Sequence, residues 1–188
     1  MNIGPLIGAA GLLSMERLCY IAIWREPRRF EAWCARFISP MWNDPVSALK
    51  RLFVGFKALQ LAVFMAWCYV HGSGSLTPAA PLAGVVAGGF LLILGQLLNA
   101  SVFYQLGSTG VFYGNRFGHP VRWCLGFPFS HLRHPQYVGT VLSIWGFFLI
   151  MRFPNPDWIA LPILETVYYA LGAWLENDEG QRAVPEVR

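Results

Sequence analysis

Charge is what this chain has least of. Only 13% of its residues are Asp, Glu, Lys or Arg, about half the fraction usual in a soluble domain. With 55% hydrophobic residues, mean hydropathy +0.44, eight Trp and fourteen Phe, that shortage argues against an ordinary water-soluble domain and for a bilayer. Cysteine is equally sparse: Cys19, Cys34, Cys68 and Cys124 show no CxxC or other ligand spacing, which supports neither a disulfide framework nor a metal site. The first apolar stretch lacks a basic leading region and a small-residue cleavage site, so it is not read as a signal peptide. There is no internal repeat and no low-complexity tract. The net charge of +4 is scattered over loops, which fits attraction to an anionic leaflet and argues against a nucleic-acid partner. The expectation is one all-α domain over 1–188, a polytopic bundle of transmembrane helices.

What the chain does have is long apolar runs. A helix needs roughly 20 mostly apolar residues to cross the hydrocarbon, and four to five hydrophobic segments qualify or come near: about 3–24, 52–69, 81–103, 137–151 and 158–175. The first is interrupted by Glu16 and Arg17, the second by Lys57, and the fifth by Pro162 and Glu165. The turn-forming residues Arg152 to Asp157 (RFPNPD) join the last two into a helical hairpin. Arg25, Arg28, Arg29, Arg36, Lys50 and Arg51 lie in one loop and Arg116, Arg122 and Arg133 in another, while the 71–80 loop has neither Lys nor Arg. The positive-inside rule therefore puts both basic loops, and the tail after Glu176, in the cytosol.

Within the second basic loop, Arg133-His134-Pro135-Gln136-Tyr137-Val138-Gly139 reads as a helix entrance, because Pro suits a helix's first turn and not its interior. Free N–H groups, a cation and a phenol there could seat a carboxylate or phosphate, or simply anchor the helix start. Upstream, Gly107, Gly110, Gly114 and Gly118 recur every three to four residues among Tyr104, Phe112, Tyr113 and Phe117. Such a stripe permits close approach of another backbone or of a flat ligand. Gln96 and Asn99 share one face of the third segment, as interhelical glue or as ligand contacts. The run Trp174 to Glu179 leaves the last segment as an acidic tail whose carboxylates oppose the helix dipole unless a cation meets them. Glu165 could pair with Lys57 or Arg17, be protonated, or sit near a helix end if the span is shifted, with a structural pair ranked above a catalytic role.

Three ordered blocks then carry a resemblance: GQLLNASVFYQLGSTGVFYGNRFG from Gly95, FPFSHLRHPQYVG from Phe127 and WLENDE from Trp174, with FKALQL from Phe56. Together they resemble the phospholipid N-methyltransferases of the phosphatidylethanolamine methyltransferase group, in the short plant-type form. The heptapeptide alone also recurs in isoprenylcysteine carboxyl methyltransferases, the alternative reading, and in sterol reductases. The family's donor-binding GxG corresponds to Ile93-Leu94-Gly95, with only its second glycine present, and its acidic pair to Leu175-Glu176, with one acid.

The resemblance implies S-adenosylmethionine as methyl donor, no metal, and a phospholipid acceptor drawn from the bilayer at the cytosolic face of the endoplasmic reticulum. The implied reaction is N-methylation of phosphatidyl-N-methylethanolamine and its dimethyl form toward phosphatidylcholine. On this reading Glu176, His134 and Tyr137 are candidate catalytic residues. Gly95, Tyr104, Gly107, Gly110, Tyr113, Arg133, Pro135, Tyr137, Gly139 and Glu176 are candidates for holding the donor, and Gln96, Asn99, Arg116 and Arg122 for the lipid. Oligomeric state is left open.

Overall fold

The computed structural model describes residues 3–37, 44–121, 124 and 126–180, and among these there is no β-strand. Six helices follow in order: α1 (Ile3–Arg25), α2 (Pro27–Phe37), α3 (Pro45–His71), α4 (Leu82–Val111), α5 (Pro135–Met151) and α6 (Ala160–Gly180). Three of them, α1, α3 and α4, are long and apolar enough to cross a membrane, and α5 is a shorter apolar helix. On the outside of α4, Val86, Phe90, Ile93 and Leu97 recur every three to four residues and are all exposed. In water so large an apolar face would be an association hazard; against lipid tails it costs nothing. The molecule is a polytopic membrane helical bundle.

Helix ends differ from the sequence expectation in informative ways. The second segment begins at Pro45 and not near residue 52, because Asp44 caps it: its side chain accepts a hydrogen bond from the Ser47 amide (2.9 Å) and Pro45 occupies the first turn. Hydrogen bonding to Ser47 and the nearby His119 imidazole (3.6 Å) outweigh partial burial and hold the Asp44 carboxyl below its usual value. The third segment continues past residue 103 to Val111, across a kink at Gly107, whose φ of 64° is left-handed. The acidic run after Trp174 is the last turn of α6, which extends to Gly180, and is not a free tail. The basic loop after α1 folds into a helix of its own, α2.

The most extensive helix contact is α4 against α5, and glycine makes it. Gly88 faces Gly146 and Gly95 faces Gly139, an antiparallel register in which both pairs are seven residues apart. A Cβ on Gly139 would lie 2.7 Å from the Gly95 carbonyl oxygen, and one on Gly88 2.6 Å from that of Gly146. The small-residue packing expected of the 107–118 stripe is therefore found elsewhere. That stripe does not form one helical face, because Gly107 breaks α4, Tyr113 is left-handed and Gly114–Phe117 is a 3₁₀ turn. Gly95→Val should lower stability by about 1–3 kcal/mol through overpacking against backbone that cannot yield. Gly89→Val, directed into open space, is the matched control. Thermal melting in detergent compares the two, and equal melting temperatures would contradict the α4–α5 contact.

α5 and α6 form the expected hairpin. Against them, α1 and α3 complete a core in which Leu13, Phe64, Trp67, Ile144, Phe148 and Leu161 are buried. Two polar assemblies interrupt this apolar packing. One, Arg152 with Asp157, locks the α5–α6 turn to the end of α3. The other lies toward the opposite end, on the inner faces of α1, α3 and α6, and forms the floor of the site described next.

Candidate functional site

The inner face of α1 carries adjacent Glu16 and Arg17 and the facing turn of α3 carries Lys57. Charges at this depth cost too much to leave unpaired. Lys57 Nζ lies 3.0 Å from Glu16 Oε1 and donates to Gln60 Oε1 (3.0 Å) and to the Tyr169 hydroxyl (2.9 Å). Arg17 donates to Glu16 Oε1 (3.0 Å), and its guanidinium lies 3.7 Å from the Tyr169 ring centroid. Glu165 takes neither cation as a direct partner. Gln60 donates to it (2.8 Å), with Arg17 and Lys57 one layer away. Its direct partner is thus an amide, and not Lys57 or Arg17.

Above this floor opens a chamber of about 270 Å³, walled by α1, α3, the end of α4 and the entrance of α5. Pro135 begins α5 as its spacing implies, while His134, its N-cap residue, makes no side-chain cap hydrogen bond. Arg133, His134, Pro135 and Tyr137 all line the chamber, and the His134 and Tyr137 rings are stacked at 5.6 Å. Glu176 reaches in from the last turn of α6. Its Oε1 accepts from the Tyr137 hydroxyl (2.5 Å) and from the Tyr113 hydroxyl (2.9 Å). These three residues are 63 and 39 positions apart in the chain, and the carboxylate is fixed by two phenols from different elements. Its second oxygen takes part in neither bond, so the group can still meet a cation.

Of the other residues singled out by sequence, Gly110 lines the chamber. Gly95 and Gly139 lie in the α4–α5 contact instead, and Gly107 is the kink. Tyr104 is 88% exposed and does not line the chamber. A second cavity of about 660 Å³ lies between α3, α4 and α5 and shares Phe53, Lys57, Gln136 and Thr140 with the first. Gln96 and Asn99 line it. Gln96 donates to Ser143 across the helix contact (2.9 Å), while Asn99 Oδ1 is buried without a hydrogen-bond partner. Arg116 is not part of the chamber lining but stacks at 3.8 Å over Trp24, which is. Arg122 and the side chains of Asp178 and Glu179 lie outside the described residues.

Glu16, Arg17 and Lys57 interrupt apolar runs in the sequence, and in the fold they build the chamber floor. The available signal was that an ionisable residue at membrane depth is by default a functional candidate.

The comparisons agree with the blocks quoted above. The family model described as phospholipid methyltransferase matches residues 83–178, which include α4, α5 and Glu176. A protein of Arabidopsis thaliana named phosphatidyl-N-methylethanolamine N-methyltransferase is 46% identical over 139 residues, 74% of this chain and 75% of its own. One of the same name from Emericella nidulans is 39% identical over 127 residues, 65% of this chain and 60% of its own. A third of that name, from Saccharomyces cerevisiae, is 41% identical over 62 residues, 32% of this chain and 30% of its own. No solved structure matches. With the matched segment carrying the two phenols, the carboxylate and the helix entrance that line one side of the chamber, this chain belongs to the phospholipid methyltransferase family.

Proposed function

We propose that the chain transfers methyl groups from S-adenosylmethionine to phosphatidyl-N-methylethanolamine and its dimethyl form, at the cytosolic face of the endoplasmic reticulum. The observation that carries this reading is the carboxylate–phenol triad of Glu176, Tyr113 and Tyr137 inside a chamber that also presents Arg133. The donor set suits an amino acid bearing both charges. Glu176 faces the ammonium, Arg133 or the α5 amides face the carboxylate, and the ring of Tyr137 offers a π face to a cation. When bound, the donor supplies an electrophilic methyl on sulfur, whose thioether departs without needing a proton. The protein's share of the work is then mainly positioning.

The second cavity supports the lipid's side of the reaction. It offers the headgroup a lateral route between α3 and α4 and shares Phe53, Lys57, Gln136 and Thr140 with the chamber. Gln96 and Asn99 stand along that route, and Arg116, stacked on Trp24 of the chamber wall, is the cation assigned to the phosphate. The acceptor amine is protonated at neutral pH and must lose that proton before attack. His134 on the chamber wall takes it, since Glu176 is engaged by two phenols and the donor's ammonium. The positions of the basic loops support the cytosolic orientation.

Membranes carrying the chain, given labelled S-adenosylmethionine and mono-methylated phosphatidylethanolamine, should produce labelled di- and trimethylated lipid. Label appearing instead as a base-labile methyl ester on a farnesylcysteine analogue would favour the carboxyl methyltransferase reading.

A further inference from the structure

α1 lies outside the residues matched by the family model, yet one of its faces lines the chamber. Arg17, Tyr20 and Trp24 stand at i, i+3 and i+7, a spacing that places them on one side of a helix. Each carries a buried polar atom without a hydrogen-bond partner: Arg17 Nε, Tyr20 Oη and Trp24 Nε1. Arg17 is only 8% exposed. Buried polar groups in folded proteins are almost always satisfied, so three orphans on one face need a reason. An indole N–H and a guanidinium N–H donate and cannot accept, and a phenol can do either. What completes this face is therefore an acceptor.

Charge narrows the class. Arg17 and Lys57 share the carboxylate of Glu16, and Glu165 is met by Gln60. The chamber's other carboxylate, Glu176, is held by two phenols, so the lining sets Arg17, Lys57 and Arg133 against two acids. Arg116 sits over Trp24, and Arg133 lines the same chamber. The face is also adjacent to the triad, with the Trp24 and Tyr20 rings 5.1 Å and 6.3 Å from that of Tyr113. We propose that Arg17, Tyr20 and Trp24 form an oxyanion-binding wall that orients a reactant in the chamber. The oxyanion is either the phosphodiester of the lipid headgroup or the carboxylate of the methyl donor. This inference rests on the methyl-transfer reading above.

The test uses the full chain in nanodiscs, with Tyr20→Phe/Trp24→Phe keeping both apolar rings and removing both donors. Arg17→Lys, which keeps the charge and loses Nε, is a second variant. S-adenosylhomocysteine and dihexanoyl phosphatidylcholine are titrated separately by calorimetry, and initial rates are measured against the mole fraction of mono-methylated lipid. Two lost hydrogen bonds to a charged group should weaken binding by about tenfold or more. If the phosphodiester is the ligand, affinity for the short-chain lipid and the lipid KM change while S-adenosylhomocysteine binding holds. If the carboxylate is the ligand, the pattern reverses. Both affinities within twofold of wild type in the double variant would overturn the wall, leaving the activity reading intact. A wild-type chain that binds neither probe and methylates no lipid would remove both readings together.

Discussion

Glu176→Gln should lower donor affinity, and kcat/KM with it, by about a hundredfold, while leaving the melting temperature close to that of the wild type. The substitution keeps the carbonyl oxygen that the Tyr113 and Tyr137 hydroxyls donate to, so the hydrogen-bonded scaffold survives. What it removes is the negative charge available to an ammonium. Truncating one partner of a buried, hydrogen-bonded charge pair costs roughly 2–5 kcal/mol, and about 2.7 kcal/mol is a factor of a hundred. Calorimetry with S-adenosylhomocysteine reads the affinity directly, without depending on lipid presentation. Unchanged affinity would take Glu176 out of the donor site. A lost melting transition would instead make the triad a structural tie between α6, α5 and the turn after α4.

The prediction is sharp because neither of the phenols comes from the same stretch as the acid. Tyr137 was legible as part of the helix entrance, and Glu176 as an acid near the membrane surface. Nothing local to Tyr113 announces that it turns inward. Its left-handed backbone, between the kinked end of α4 and a 3₁₀ turn, is what swings its hydroxyl onto Glu176.

The same distinction runs through the whole chain. Apolar length made the cores of α1, α3, α4, α5 and α6 legible, since the bilayer imposes a simple length rule. It said little of helix ends that continue into the polar zone, such as Phe103 to Val111 or Glu176 to Gly180, where hydropathy falls but hydrogen bonding continues. The cap at Asp44 and Pro45 was readable in principle, because an acid followed by proline is a helix-start signature. Gly95 and Gly139 stand out in the sequence as small residues, but not as partners of each other. Their pairing depends on a register between two helices separated by a long loop, and no window of sequence contains it. Arg17, Tyr20 and Trp24 were hidden for another reason: three polar atoms spread over two turns barely register in an apolar average.

The second large effect lies at the far end of the bundle, where Asp157→Asn should destabilise the protein by roughly 3–5 kcal/mol, the cost of leaving a buried charge without its partner. Arg152 grips Asp157 with two parallel bonds, Nε to Oδ2 and Nη2 to Oδ1, both 2.8 Å. Nη2 also donates to the His71 carbonyl (2.8 Å), and the Trp67 indole donates to Asp157 Oδ2 (3.2 Å). One carboxylate thus fastens the α5–α6 turn to the end of α3. Burial alone would raise the Asp157 carboxyl's pKa, but the hydrogen bonds and charge of Arg152 prevail and hold it below the usual value. A depressed carboxyl stabilises the fold at every pH above its unfolded value, near 4, and loses that contribution as pH falls through the folded value. The gap in melting temperature between wild type and Asp157→Asn should therefore be full and flat from pH 8 to about 5, then narrow below about 4. Paired melts in detergent across that range measure it. A gap that persists unchanged to pH 3 would mean that packing at this turn, and not the ionised pair, holds the hairpin to α3.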